Sequence, residues 1–315
     1  MYNEKLKQRY LSERIKSNSE QYYNNLIYRF DIIASEEERL DTDLCNFSVE
    51  EILNAYKARN TSSVEYLMVS NFIYASYTDF CIYNGLVKDS QNHYRDISIE
   101  LLNECINKLW LNKSILTKEE IYQIVDELEN PCDKFIILGI FEGICGDSYE
   151  DLFHAEMSQF DGNVMHCHSG VDVVVSDKLI GIAADSANEY TYYCLTNSDN
   201  QALSYRYFNR NDHHIIKMSV KKSAKSLDEA DQALMVRRIQ KRIDKIRNYF
   251  NILGIRGKSI LYSGLIDFIN TKHAEQPEKS IRDIIVENMT YIEAVYKTMV
   301  GKIDMFITRY KDFLK

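Results

Sequence analysis

The apolar positions of this chain recur mostly at helical spacing. In "QYYNNLIYRFDII", Tyr22, Leu26, Phe30 and Ile33 fall on one face of a helix. "FSVEEILNAYKARN" opens with Ser48 at an N-cap position and Glu51 three residues on, a capping box in which each side chain satisfies the other's backbone N–H. "TSSVEYLMVSNFIYASYTDFCIYNGLV" predicts a longer helix with Val64, Leu67, Met68, Phe72 and Ala75 as its stripe, closed by Asn84-Gly85. The polar run "VKDSQNHYRDIS" reads as a loop, a short helix is predicted around residues 99–110, and "LNKSI" reads as a link between domains.

A second capping box, Thr117 with Glu120, starts a helix whose buried face is Ile121, Ile124, Val125 and Leu128, stopped by Pro131. An apolar helix then runs to about Ile144. A glycine-bracketed turn, "GICG", follows, and another helix starts near Tyr149. "NVMHCHS" and "VDVVVS" carry β-branched residues on either side of Gly170 and predict a hairpin. "SLDEADQALMVRRIQKRIDKIRNYFNILG" is the strongest helix. Ser226 and Glu229 form its capping box, Gly254 its end, and Met235, Ile239, Ile243, Ile246 and Phe250 its apolar face. Two or three more helices finish the chain. The pattern predicts a mainly α (α+β) protein of two domains, residues 1–110 and 114–315, the second holding a small β-sheet.

Composition agrees with helix: 11 Gly and 2 Pro in 315 residues leave few breakers, and 45% apolar residues allow a sizeable core. No run approaches the roughly 18 apolar residues of a membrane span, and the N-terminus is too polar for a signal peptide. Neither membrane attachment nor export is expected. Seven Cys at irregular spacing, with no CxxC, fit reduced thiols in a cytoplasmic protein.

Charge changes the picture more. The net charge of -9 opposes nucleic acid binding unless cations cluster locally. They do. "RRIQKRIDKIR" sets Arg237, Arg238, Lys241, Arg242, Lys245 and Arg247 against Asp244 alone, and Lys217, Lys221, Lys222 and Lys225 lie just upstream. Arg238, Lys241, Arg242 and Lys245, at i, i+3, i+4 and i+7, are expected to project outward while the isoleucines bury. A solvated helix face is the plain alternative. His166 with His168, and His213 with His214, suggest a metal only weakly, because no Cys pair has zinc-finger spacing; hydrogen-bonded or exposed imidazoles are expected, and no cofactor is implied. Ser148 in "GDSYE" does not sit in a GxSxG elbow, so a serine hydrolase is not indicated.

The order of elements resembles the tyrosine recombinases, or phage integrases. "SSVEYLMVSNFIYASYTDFCIYNGLV" and "LTKEEIYQIVDELENPCDKFIILGIFEGICGDSYEDL" carry the resemblance best. It implies a helical core-binding (SAM-like) DNA-binding domain over residues 1–110 and a catalytic-type domain over 114–315. In that family a tyrosine attacks a phosphodiester. Two arginines and histidine-like donors stabilise the charge that grows on the phosphate oxygens, and a hairpin lysine assists the leaving oxygen. Carried onto this chain, Gly146 matches the family's glycine and "EDL" (150–152) its Ser-Glu-Leu, so the first arginine falls on Ser148; a one-residue shift offers only Asp147 or Tyr149. "GKSILYSGLIDFI" puts Lys258 at the histidine and Leu261 at the second arginine, "VGK" puts Lys302 at the later histidine, and "FITRYKDF" puts Tyr310 at the nucleophile. The hairpin contains no lysine.

A frame without its charges is similar to the integrase-like master repressors of the lytic cycle of SPβ-type phages. That resemblance implies a DNA-binding transcriptional repressor rather than an enzyme. Its partners would be double-stranded operator DNA and, further, a phage or host regulatory protein. The expected DNA contacts are Arg237, Arg238, Lys241, Arg242, Lys245, Lys217, Lys221, Lys222 and Lys258. Two alternatives stand beside it: a working recombinase with a divergent active site, and a helical protein–protein adaptor, suggested by the acidic charge and the 23 tyrosines.

Overall fold

The computed structural model describes residues 1–15, 20–61, 63–193, 205–208, 210–217, 232–252, 255–297 and 303–315. The expected contacts Lys221 and Lys222, the histidine-equivalent Lys302, and the predicted caps Ser226, Glu229 and Gly254 lie outside the described residues. The chain forms two compact units, Met1–Leu111 and Asn112–Lys315. It is mainly helical with short strands.

The first unit holds α1 (Glu4–Ile15), α2 (Glu20–Leu40), α3 (Val49–Ala58), α4 (Val64–Tyr83) and α5 (Ile99–Glu104), and α6 (Lys108–Ser114) runs across the boundary. The capping box at Ser48 and Glu51 forms, Ser63 caps α4, and Gly85 takes φ 65° just beyond it. Two readings differ from the sequence expectation. "LNKSI" is mostly helical, as the last part of α6. The helix expected over 99–110 is broken, because Asn107 turns its backbone N–H to Thr61 O at 2.7 Å.

The core of this unit is aromatic. Tyr77 packs edge-on against Phe30 at 5.2 Å and Tyr10 at 5.3 Å. Each buried phenol finds an acceptor: Tyr77 donates to Asp43, Tyr74 to Arg29 O and Tyr94 to Leu44 O, as buried hydroxyls must to avoid a desolvation cost. Phe72 does not belong to the α4 stripe; it is 73% exposed. The buried face turns through Leu67, Tyr74, Tyr77 and Cys81 instead, which leaves Phe72 on the far side. Inside this core Lys7 and Glu37 form a fully buried ion pair.

The second unit is built on α8 (Pro131–Phe141), most of whose residues are buried. Around it pack α7 (Lys118–Glu127), α10 (Asp177–Asn188), α11 (Gln232–Phe250) and α12 (Gly257–Glu275). Pro131 occupies the first turn of α8, where its missing N–H is not needed. The short α9 (Glu150–Phe153) precedes an antiparallel sheet, β1 (Phe160–Asp161), β2 (Val164–His166) and β3 (Asp172–Val174), with Met165 opposite Phe160 and Val173. The predicted hairpin is β2–β3. A second pair, β4 (Thr191–Tyr193) and β5 (Tyr205–Tyr207), was not anticipated, and neither was α10. The helices α13 (Ile281–Glu287), α14 (Met289–Tyr296) and α15 (Ile303–Tyr310) complete the unit. At Gly264, a Cβ on α12 would lie 1.7 Å from Phe141 O, so α8 and α12 meet backbone to backbone.

Candidate functional site

The turn between α8 and α9 is built from left-handed positions. Gly143 has φ 97° and Gly146 φ 62°, and Ser148 (54°) and Tyr149 (67°) follow. For non-glycine residues this conformation costs of order 1 kcal/mol each, so the surroundings must hold it. Two close approaches do. A side chain at Gly146 would meet the Asp151 carboxylate at 2.6 Å, and one at Gly257, the first residue of α12, would meet the Tyr149 hydroxyl at 2.0 Å. The buried Asp151 carboxylate in turn accepts from the Ser169 N–H (2.8 Å) and hydroxyl (2.9 Å), pinning the β2–β3 turn. Burial, with Cys145 and Asp244 nearby, pushes the Tyr149 phenol up to about 12.

The described positions that the recombinase resemblance singles out lie near the first half of α12. Ser148 is exposed at the apex of the turn. Lys258 is exposed next to Gly257, its ammonium 5.3 Å from the Tyr262 ring. Leu261 is half-buried. Tyr262 packs against Tyr310 of α15 at 5.6 Å, and Phe306 against Tyr310 at 4.7 Å. Tyr310 is 2% exposed, and the Arg309 guanidinium lies 5.2 Å over its ring. At these positions the turn offers a hydroxyl and α12 a hydrocarbon and one ammonium. Among the described positions matched to the recombinase charges, Lys258 is the one cation.

The basic helix is amphipathic as its sequence suggests. Met235, Ile239, Ile243 and Ile246 are buried, while Arg237, Lys241 and Lys245 are exposed and Arg238 is partly so. Two of the expected contacts are corrected. Arg242 does not project outward. It falls between Ile239 and Ile246 at the edge of the buried stripe, with Nη1 3.6 Å from Asp133 Oδ1 on α8 and its guanidinium 4.9 Å over the Tyr192 ring. Lys217 is 3% exposed; its ammonium donates to Ala187 O and Glu189 O at the C-terminal end of α10 and lies 4.3 Å from the Tyr190 ring. It caps carbonyls that the helix leaves unpaired, and burial lowers its pKa.

Sequence reasoning missed Asp133 and Asn130. Asp133 is buried in α8, its carboxyl pushed up by desolvation against the pull of Arg242, Tyr192 and Asn130. Asn130 holds β4 by donating to Tyr193 O at 2.9 Å and accepting from Tyr193 N–H at 2.7 Å. An acid inside "PCDKFIILGIF" was the available signal, since a charge in so apolar a helix needs a partner. His213 is exposed, and other histidines are stacked or hydrogen-bonded. His168 lies on His154 at 4.4 Å, His166 pairs with Asp172 at 2.7 Å and His214 with Asp212 at 2.8 Å. Among the described residues no group of three or more His, Cys, Asp or Glu is placed to hold a metal ion.

Residues 115–301 match the family described as "MrpR, C-terminal catalytic domain", and residues 1–83 match "MrpR, N-terminal core-binding domain". The chain belongs to the MrpR family. It is also similar to the SPbeta prophage-derived uncharacterized protein YopR of Bacillus subtilis (strain 168), at 22% identity over 84% of this chain and 80% of that one. The MrpR match takes in Ser148, Lys258, Leu261 and the whole of α11, but stops before Lys302 and Tyr310. The two-domain, tyrosine-recombinase-like architecture is therefore that of MrpR proteins, and in this member the turn at 143–151 is structurally complete while Ser148 stands at its apex.

Proposed function

We propose that this MrpR-family chain is a phage regulator that binds operator DNA and represses lytic genes without cleaving the DNA. The carrying observation is the turn itself: its backbone is held by Gly146, Asp151 and Gly257, yet Ser148 supplies no positive charge. Loss of a single preorganised donor to a developing oxyanion costs about 10²–10³ in rate, and here Ser148, Leu261 and the hairpin supply neither lysine nor arginine. Tyr310, packed among Tyr262, Phe306 and Arg309, is an aromatic core residue in this reading. Affinity rests on phosphate contacts from Arg237, Lys241, Lys245 and Lys258, which position the protein, while base-edge contacts in the major groove select the site. The weak homologue's prophage origin supports the phage setting, and no helix among the described residues is long and apolar enough to cross a membrane.

The test is a suicide DNA substrate that traps covalent protein–DNA adducts, run beside a mobility-shift assay on sites found by genome-wide binding in the native host. The expected result is sequence-specific shifts at several short related sites, no adduct, and nearly unchanged affinity for Tyr310→Phe. An adduct that disappears in Tyr310→Phe restores the recombinase reading. Absence of any specific shift favours the adaptor.

A further inference from the structure

A cavity of about 540 Å³ opens in the second unit between the end of α8, β3, α12 and α14. It is of the size of a small-molecule site, roughly 300–1,000 Å³. Four rings line it, Phe141, Phe268, Tyr291 and Tyr296, together with two carboxylates, Glu142 and Asp267. Phe268 stacks on Tyr291 at 5.1 Å and lies 6.2 Å from Tyr296. Among the described residues no cation covers any of these three rings.

Two polar groups of the cavity lack partners. Burial raises the Asp267 carboxyl above its ordinary value, against the pull of Lys118, and among the described residues Asp267 has neither a side-chain hydrogen bond nor an ion pair. The Tyr296 side chain is 4% exposed, and its hydroxyl has no hydrogen-bond partner among the described residues. Glu142 is held in place: its two oxygens accept the Ser176 N–H at 2.8 Å and hydroxyl at 2.6 Å, yet burial still raises its carboxyl. The three groups converge, since the Asp267 charge reaches Glu142 and both charges reach the Tyr296 phenol.

The neighbouring cations do not balance these carboxylates. Lys272 is taken up by Glu275 at 2.8 Å. Lys118 is exposed, its ammonium 5.7 Å from the Tyr122 ring, and it forms an ion pair with neither carboxylate. Glu119 beside it adds a further negative charge felt by Asp267. A carboxylate withdrawn from water without a counter-charge is costly, and an aromatic face attracts a cation through its quadrupole. An organic cation meets both needs. A metal ion would find two carboxylates, fewer oxygens than a hard cation takes, and a neutral apolar molecule would leave the carboxylates uncompensated.

We propose that this cavity binds a small organic ammonium ion with a flat apolar body, its N–H groups on Asp267, Glu142 and the Tyr296 hydroxyl and its body against the Phe268–Tyr291 stack. The site stands apart from the DNA-binding reading, because none of the cations assigned to DNA lines the cavity.

The full-length chain is titrated calorimetrically with phenethylamine, with phenethyl alcohol as its neutral counterpart and ethylamine as the ammonium without the ring. The expected result is one site for phenethylamine. Phenethyl alcohol and ethylamine each bind at least about tenfold more weakly, the scale of one lost charged hydrogen bond or one lost apolar group. Asp267→Asn keeps the shape and removes the charge. It weakens phenethylamine binding about fivefold or more and does not lower the thermal unfolding midpoint followed by circular dichroism, since Asp267 has no partner to lose. Thr271→Lys, a change at an exposed wall position, brings an ammonium of the chain's own to the cavity and also weakens phenethylamine binding; it decides the matter should Asp267→Asn fail to fold. No heat of binding from phenethylamine at millimolar concentration overturns the proposal. So does phenethyl alcohol binding as tightly as phenethylamine, or phenethylamine binding that both variants leave unchanged.

Discussion

Each unit of the molecule buries a cation against a carboxylate, and the two pairs are built to opposite standards. In the first unit the Lys7 ammonium lies 2.6 and 2.5 Å from the two Glu37 oxygens and donates a further bond to Tyr2 O at 2.8 Å. Glu37 also accepts the Leu44 N–H at 2.9 Å. All three ammonium protons have acceptors, and both side chains are fully buried. In the second unit Arg242 and Asp133 stand 3.6 Å apart, with an unpaired nitrogen on one side and an unpaired oxygen on the other. A buried charge satisfied by its own unit is scaffold. One left short of partners is a weaker joint between the elements it ties together.

Breaking the closed pair should have the largest effect. Glu37→Ala strands Lys7 and is expected to cost about 3–5 kcal/mol, whereas Lys7→Met with Glu37→Leu should recover most of that, because an apolar replacement strands no charge. Urea denaturation followed by circular dichroism measures both. The pair also has a pH signature. Desolvation, against the opposing pull of Lys7, pushes the Glu37 carboxyl from 4.5 to about 7. The native state therefore holds a proton that the unfolded chain has released between those values. Its stabilising contribution is fully present below about 4.5 and is lost as pH rises toward 7. The double variant should show a flatter stability profile over that window.

Breaking the open pair should cost less. Arg242→Met is expected to destabilise by about 1–3 kcal/mol, the penalty for leaving Asp133 without its partner. Burial already raises the Asp133 carboxyl above its ordinary value, and removing Arg242 raises it further, so the loss should grow as pH rises above about 4. A cost as large as that of Glu37→Ala, or one that shrinks with rising pH, would erase the contrast between the pairs.

The smallest effect on stability, and the sharpest on binding, belongs to the exposed cations. Lys241→Ala with Lys245→Ala should change folding stability by no more than about 0.5 kcal/mol. It should also flatten the log–log salt dependence of operator affinity by up to about two units, at about 0.9 per lost phosphate contact. An unchanged slope would return α11 to a merely solvated face. Residues 114–315 alone should bind more weakly than the full chain, since tethered modules gain through effective concentration; equal affinity would remove the need for the first unit.

What could be read from the sequence was what is decided locally. The capping boxes at Ser48 and Thr117 and the apolar stripe of α11 depend on neighbours three and four residues away, and they formed. Errors arose where distant partners decide. Lys217 was read as a surface cation, but its acceptors are the carbonyls that α10 leaves open, and α10 had not been recognised. Arg242 shares a helical face with Arg238 and Lys245 on spacing alone, yet its bracketing by Ile239 and Ile246 turns it toward α8. The three-residue strands β4 and β5 are too short to show alternation. The glycine turn and the helix that follows it were legible through Gly146 and "EDL"; the packing of Tyr149 on Gly257 was not, because nothing near either residue announces the other.

Gly264 gives the helices of that frame a mechanical tolerance. Where α12 crosses α8, the clearance to Phe141 O is smaller than one carbon atom, so the crossing acts as a gauge: it fixes how far Gly257, Lys258 and Leu261 stand from the turn that carries Ser148, whatever charges those positions hold. Geometry kept by a missing atom is indifferent to chemistry. A chain built this way can change the side chains at those positions and still present the same contour, which makes it a scaffold on which recognition can be altered without refitting the parts.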